Sequence, residues 1–510
     1  MNAALAFDAL ETVKRSPTSP LLWQRLSEFV AALGINERAA MSQIIANLSL
    51  PSREARWLRD SAMAFLTRDP AWFVRQAASV DGNTAPDAVM TMLSLAWHHA
   101  VVRSATHPSL AQTLRDIDAV RLQQVVASHI RGSGQVRRNP PEMRARVAVY
   151  TPEIGNREHG GTAVLLNVLS LLATQDVDLH AFTAKETSIP GVGSYHGGAE
   201  FVTAPVVFPE ALSLRTQCAV ELHIPDVELS LRQRFDEVRQ AIDAFAPDVV
   251  IVVGFMSPLA YSLYADYPVV GLPIHALPPL APVDTWLCAR PELEAAAWPG
   301  FPSPPAFPFP FRFWPADPCV PVEREALGLS ADACVLITVG YRLLTEIASP
   351  WREQMLAFVD AHPAVHWVLI GVLPGEAGQL PSHPRIHVLP PKPLLPAWLA
   401  MADIFVNPPR IGGGGAAAMS MEQRVPVLTF VDGDAGDKVG EFAAASSDAY
   451  FAQLQAWVDD AEARRDAGRS MQTTFRERLD FSSPQAAASL MQACSLAAES
   501  FNQRAGNPGA

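Results

Sequence analysis

Cysteine is scarce. The 510 residues hold five (Cys218, Cys288, Cys319, Cys334 and Cys494), and no two form a C-x-x-C pair. That spacing indicates neither a zinc site nor a disulfide framework, and it suits a reducing compartment. Long apolar runs are also missing. No window of eighteen uncharged apolar residues occurs, so no transmembrane helix is expected. The opening residues carry Asp8 and Glu11 and no basic run ahead of an apolar core, which does not read as a secretory signal. Nor is there an excess of positive charge. Lys and Arg total 39 against 52 Asp and Glu, a formal net charge of −13. A nucleic-acid partner is therefore not expected, although a small basic pocket for a nucleotide is not excluded. These absences predict a soluble, cytoplasmic protein.

What is present suggests several domains. With 49% hydrophobic residues, a chain of this length can bury large cores, and length alone suggests about three domains. Residues 1–135 predict an all-α region, with apolar residues at helical spacing over 21–33, 37–48, 52–66, 71–79, 85–102 and 110–129. Pro20, Pro51, Pro70 and Pro86 fall at or near first-turn positions, where a missing N–H does no harm. The helix pairs show no fixed period. They read either as an appendage packed on a catalytic core or as a docking surface for a protein partner. A basic stretch with Gly132, Gly134, Pro140 and Pro141 follows over 131–143 and reads as a linker, bounded at 136–145.

From Arg146 the pattern changes to short apolar strands alternating with helices. Strands are expected at 147–150, 179–182, 249–253 and 269–272, with helices at 163–173 and 235–245. A second series begins at Cys334, with strands at 335–339, 366–370, 386–389 and 404–406 and helices at 351–361 and 396–401. Such alternation implies parallel sheets covered on both faces. The fold class expected is α/β: two doubly wound, Rossmann-like domains, 146–325 and 326–482, facing a cleft. A last helix and tail are expected over 483–510. Proline totals 44 and concentrates between 268 and 321, which implies a long ordered connection there. The aromatic residues Phe307, Phe309, Phe311, Phe313 and Trp314 predict an edge strand packed on the core.

One stretch stands out in the second series: Asn407-Pro-Pro-Arg-Ile-Gly-Gly-Gly-Gly-Ala416. An apolar strand end precedes it, and a helix-forming segment, 416–423, follows. Glycines let the backbone approach an anion, and a helix N-terminus offers it unpaired N–H groups and a positive dipole end. A flexible loop before a packed helix is the plainer reading of the same residues.

Two tandem α/β domains with a Gly-rich turn late in the second resemble the GT-B arrangement of nucleotide-sugar glycosyltransferases. More narrowly, the chain resembles glycosyltransferase family 41, which holds the O-linked N-acetylglucosamine transferases and the bacterial cytoplasmic adhesin N-glucosyltransferases. The similarity lies in Arg146 to His159, in Val269 to His275 with Val283-Asp284, in Pro391-Lys392 ahead of Ala402-Asp403, and in Asn407 through Pro426. The resemblance implies a nucleotide-sugar substrate, a UDP-hexose, with no cofactor and no essential metal. It also implies a protein acceptor that the N-terminal helices help to bind. The family pattern has polar residues among the glycines and an acid where Met419 stands. The Glu-x7-Glu pair of retaining GT-B enzymes would fall on Ile411 and Met419 and is absent, which favours inversion. A relative with its own loop, ending at Asp432 to Val439, is equally compatible.

Transfer from such a donor requires the charge on the leaving diphosphate to be neutralised and the acceptor activated on the opposite face. The donor-binding candidates are Gly412, Gly413, Gly414, Gly415 and Ala416 for the diphosphate, with Arg342 adding a full charge. Lys392, Asn407, His275 and, more weakly, Lys438 complete that set. His159 is the candidate base, since an imidazole accepts a proton near neutral pH, and Glu153 and Glu158 are rivals in the same loop. Asp284 reads as a fixer of the Pro-rich loop. Two other functions fit the sequence: a transferase building a polysaccharide or lipid-linked glycan, and a GT-B binding protein that has lost its chemistry.

Overall fold

A computed structural model describes residues 2–67, 69–132, 144–155, 160–186, 211–213, 219–254, 256–274, 277–296, 298, 300–301, 303–330, 332–373, 377–380 and 382–506. The expected bases His159 and Glu158, and the donor candidate His275, lie outside these residues.

Residues 2–127 form eight helices, from Asn2–Arg15 to Ala119–Ala127. They divide by what they bury. Ala6, Leu10, Trp23, Leu26, Val30, Met41 and Ile45 form a core of their own. Phe73, Val89, Leu93, Leu110, Leu114 and Leu122 instead join the core of the first sheet, together with Ala148, Tyr150, Val250, Val252 and Trp286. The later helices are thus continuous with the α/β body. The helix Asn2–Arg15 was not foreseen from the sequence; its lone acidic and basic groups mask a short apolar stripe of Ala6, Leu10 and Val13.

The first sheet runs β3(Ala211–Ser213), β4(Ala219–His223), β2(Val177–Thr183), β1(Ala145–Thr151), β5(Val249–Val253), β6(Val269–Leu272), β7(Thr285–Cys288), β8(Ala306–Pro308) in spatial order. Only β3 is antiparallel to its neighbour. β5 is five β-branched residues, all buried, as a strand covered on both faces requires. Helix Leu231–Phe245 covers one face and opens with a capping box: the Ser230 hydroxyl accepts from the Gln233 amide while the Gln233 side chain accepts from the Ser230 N–H. Of the aromatic residues expected in an edge strand only Phe307 lies in one, β8; Phe309 and Phe311 follow it as buried residues outside any strand.

The second sheet is wholly parallel, in the order β11(Ile386–Leu389), β10(Val365–Ile370), β9(Cys334–Val339), β12(Ile404–Val406), β13(Val427–Leu428). Val335, Ile337, Trp367, Leu369 and Phe405 lie in its core with Met421, Leu454 and Phe475 from its helices.

The chain passes between the two sheets twice. After Phe311 it leaves the first for the second, and at Phe481 it returns. The last helix, Pro484–Gly506, packs on the first sheet through Ala486, Leu490, Ala493 and Ala497. The two crossings hydrogen-bond side by side: the Arg312 and Phe313 amides donate to the Leu479 carbonyl, and the Phe481 amide donates to the Phe313 carbonyl. Arg504, near the end of the last helix, donates to Asp284 at 2.8 and 3.1 Å, while Asp284 also accepts from the Val269 amide. Asp284 therefore joins β6 to the C-terminal helix. Among the described residues no helix is long and apolar enough to cross a membrane.

Candidate functional site

In open parallel sheets the side chains beyond the carboxyl ends of the strands are those that meet a ligand, above all where strand order reverses. β9 in the second sheet and β1 in the first are the strands flanked on both sides by crossovers in opposite directions. Polar clusters sit beyond both.

Beyond β9 and β12 the cluster is built around Arg410, which lies inside the Gly-rich stretch and is 5% exposed. Its guanidinium donates to the Asn407 side-chain oxygen at 2.8 Å, to the Val339 carbonyl at 2.8 Å and to Glu346 Oε2 at 2.5 Å. Arg410 thereby ties the ends of β9 and β12 together. Glu346 closes the helix Leu343–Glu346, and its other oxygen accepts from Arg342 Nε at 3.0 Å and Nη2 at 2.9 Å. Burial raises the Glu346 carboxyl, but the two guanidiniums outweigh it and hold the group below its ordinary range. Two cations share one anion, so the cluster keeps one net positive charge. Arg342 carries that charge to the surface, its side chain 35% exposed.

The helix Gly414–Glu422 starts beside this cluster. Gly413 precedes it at φ +96°, and a Cβ there would lie 2.4 Å from Asn407 Oδ1, so only glycine fits. Gly414 is needed for a different reason. A Cβ there would meet Asp434 Cβ at 2.8 Å, because the Asp434 amide donates to the Ile411 carbonyl and draws helix Asp434–Val439 against it. Gly415 faces open space, and a Cβ on Gly412 would lie 3.2 Å from Arg342 Nη2. The first N–H groups of a helix have no intrahelical acceptor, and here Gly414, Gly415 and Ala416 supply them. The structure thus brings together the glycines, Ala416, Arg342 and, through Arg410, Asn407.

The remaining donor candidates are otherwise engaged. Lys438 Nζ is 2.5 Å from Asp437 Oδ2, and Asp437 also receives Arg290 Nε of the first sheet at 3.2 Å. Burial raises the Asp437 carboxyl, yet Lys438 and Arg290 together hold it below its ordinary value. Lys392 Nζ lies 4.8 Å from the centroid of the Trp398 ring. Asn407 is buried and is spent on Arg410 and on Thr429, to which its amide donates at 3.1 Å. Ile411 is fully buried in the core shared by the N-terminal helices and the first sheet, and Met419 packs on the second core. Neither position presents an acid, and both side chains serve packing.

An N-terminal helix also reaches this site. Helix Pro86–Arg103 packs on helix Leu343–Glu346. Burial lowers the basicity of the half-buried His98 on it, and the positive charge of Arg342 lowers it further. Nothing in the sequence of an apolar helix pointed to His98; only the fold sets it beside Arg342.

Beyond β1, β2 and β5 the polar groups are buried deeper. Glu153 Oε1 is 2.6 Å from Lys185 Nζ and accepts from the Ile154 amide at 3.0 Å. Lys185 Nζ also donates to the Ile154 carbonyl at 2.8 Å. Next to it, Glu186 Oε1 accepts from the Tyr150 hydroxyl and, at 2.7 Å, from the Ser257 hydroxyl, while Oε2 is buried without a hydrogen-bond partner among the described residues. Burial pushes the Glu186 carboxyl up to about 7; donation by Tyr150 and Ser257 opposes this, and the Glu153 charge adds to it. Arg234 donates to the carbonyls of Ala184 and Lys185, and its Nε and Nη2 are likewise buried without partners among the described residues. Glu153 was expected from the sequence; Glu186, Tyr150, Ser257 and Arg234 were not.

Comparison with solved structures identifies the architecture. An O-GlcNAc transferase mutant of Thermobaculum terrenum superposes with a TM-score of 0.53 at 12% identity, over 98% of this chain and 98% of that one. The catalytic domain of starch synthase IV of Arabidopsis thaliana, bound to ADP and acarbose, gives 0.47 at 10% identity over 70% of this chain and 100% of that one. A structure described as a UDP-N-acetylglucosamine 2-epimerase of Listeria monocytogenes gives 0.42 at 13% identity, over 66% and 94%. No protein-family model and no curated protein sequence matches the chain. The fold is GT-B: two Rossmann-like α/β bodies, preceded by helices and closed by a helix that returns to the first.

Proposed function

We propose that the protein is a glycosyltransferase that moves a hexose from a nucleotide-sugar donor, uridine-linked, to a protein side chain with inversion. The observation that carries the reading is the net positive charge of the Arg342–Glu346–Arg410 cluster beside the N-terminus of helix Gly414–Glu422, where Gly415 faces open space. A diphosphate bears negative charge at neutral pH, and that charge grows as the glycosidic bond to phosphate breaks. Fixed N–H dipoles and a guanidinium favour the later state, which is what lowers a barrier. The GT-B fold supports the placement, because it sets the Gly-rich turn opposite the carboxyl edge of another sheet. In this reading the guanidinium and the helix N–H groups take the place of a metal ion.

On the facing sheet an acceptor nucleophile would attack the anomeric carbon from the side away from the diphosphate. His159 is the proposed base that takes its proton. Glu153 is a weaker choice, because Lys185 and the Ile154 amide already bind its carboxylate. The helix Pro86–Arg103, lying against the donor site, gives the N-terminal helices a way to present a protein acceptor there.

The test is turnover of a panel of nucleoside diphosphate hexoses by the purified chain, with and without peptide acceptors. Release of UDP with attachment of hexose to a peptide is expected, and His159→Ala should abolish it while leaving UDP affinity unchanged. Transfer only to a glycan or lipid would replace the acceptor class. UDP binding without turnover of any donor would leave a nucleotide-binding protein, and absence of binding would end the enzyme reading altogether.

A further inference from the structure

Three donor side chains converge on the first sheet, away from the cluster described above. His180 on β2 and Glu221 on β4 are direct cross-strand neighbours, and His223 stands two residues further along β4 on the same face. His180 Nδ1 is 3.1 Å from His223 Nε2, and His223 Nε2 is 3.3 Å from Glu221 Oε1. One ligand atom from each residue can be chosen so that all three lie within 4.8 Å of one another. The rings are held in place by stacking: His180 on Phe245 with centroids 4.2 Å apart, and His223 on Phe182 at 4.6 Å.

We propose that His180, Glu221 and His223 form a binding site for a divalent transition-metal ion of the zinc class. A tetrahedral zinc ion bound at 2.0–2.1 Å by imidazole spaces its ligand atoms about 3.3 Å apart. The two contacts of His223 Nε2, at 3.1 and 3.3 Å, lie near that edge, and the remaining edge, within 4.8 Å, closes as the exposed Glu221 side chain turns toward the imidazoles. Imidazole and carboxylate donors suit zinc and its late first-row neighbours, and a hard oxygen-only ion such as Mg²⁺ would be a poor match. His180 and His223 border an open hollow of about 390 Å³, which Arg146, Asp178 and Phe245 also line. Bound there, the ion would cross-link β4 to β2, two strands joined in sequence only through residues 184–218.

The second sheet supplies an internal control. His366 on β10 and His387 on β11 take the same relative register, with the same 3.1 Å contact between Nδ1 and Nε2 and the same 5.3 Å ring separation. There the residue two before His387, the place that Glu221 holds before His223, is Arg385, so a cation and not a carboxylate stands beside the pair. A histidine pair alone is explained by one N–H···N hydrogen bond. The glutamate is what makes the first pair a ligand set.

The experiment is Zn²⁺ and Co²⁺ titration of the full chain after chelation. One equivalent should bind, with a Co²⁺ visible spectrum of low coordination number. His180→Ala or His223→Ala should weaken binding by about 100-fold and Glu221→Gln by about tenfold, while His366→Ala leaves it unchanged. Zn²⁺ should also raise the melting temperature of the wild type and not of His223→Gln, which serves if an alanine variant fails to fold. No binding by the wild type, or an equivalent retained in both histidine variants, overturns the proposal.

Discussion

Two buried glutamates mark the two halves of the cleft, and they are charged differently. Glu346, beyond β9, is clasped by Arg342 and Arg410 and stays ionised well below neutral pH. Glu186, beyond β2, receives two hydroxyl groups from the described residues, and burial pushes its carboxyl up to about 7. Both are almost inaccessible to water, so burial alone does not separate them. The difference is the number of cations within contact distance. The second body fixes a negative charge in order to position positive ones, which suits a permanent anion-binding role. The first holds a buried carboxyl whose charge follows pH.

Removing one anion from the donor cluster is the harshest way to break this contrast. Glu346→Gln leaves Arg410 buried without a counter-charge and should destabilise the fold by about 3 kcal/mol, read from the urea midpoint. The partner experiment is Glu186→Gln. In the folded protein Glu186 keeps its proton up to about pH 7, whereas in the unfolded chain it loses it near the ordinary glutamate value. The folded state therefore binds more protons between those limits, and its stability falls as pH rises through them. The glutamine variant mimics the protonated form. It should match the wild type at about pH 4 and exceed it by about 2 kcal/mol at about pH 8, in parallel denaturation series.

Gly415→Asp sharpens the donor half alone. Its Cβ meets nothing, and a carboxylate in the first helical turn is neutral or slightly favourable for the helix. Stability should hold while affinity for UDP drops by about tenfold, measured by calorimetry. If affinity is unchanged, the diphosphate does not bind at this helix. The smallest effect is expected at Lys392. Its ammonium over Trp398 contributes about 0.5 kcal/mol, so Lys392→Ala should shift the melting temperature by a degree or two. A UDP affinity falling by more than about tenfold would return Lys392 to the donor set.

Much of the architecture was legible because it is written locally. Val249–Val253 and Cys334–Val339 are apolar runs too short for helices, and alternation with helical segments implies a parallel sheet wherever they pack. The Gly-rich turn was legible for the same reason. Its supports were not. Arg410 lies inside the quoted stretch, yet its partner Glu346 is 64 residues away and the Val339 carbonyl 71. Glu186 meets Ser257 across 71 residues, and His180 meets His223 across 43. No local pattern announces a side chain whose meaning depends on a strand crossover. Gly414 shows the converse: its sequence context suggested a ligand, and its neighbour is Asp434.

The paired crossings at 312–313 and 479–481 set the mechanics of the cleft. One tether would let the two bodies swivel as well as open. Two tethers hydrogen-bonded edge to edge behave like a strap hinge: they resist torsion and leave bending as the soft motion. Any motion between the bodies is thereby confined to bending about that seam.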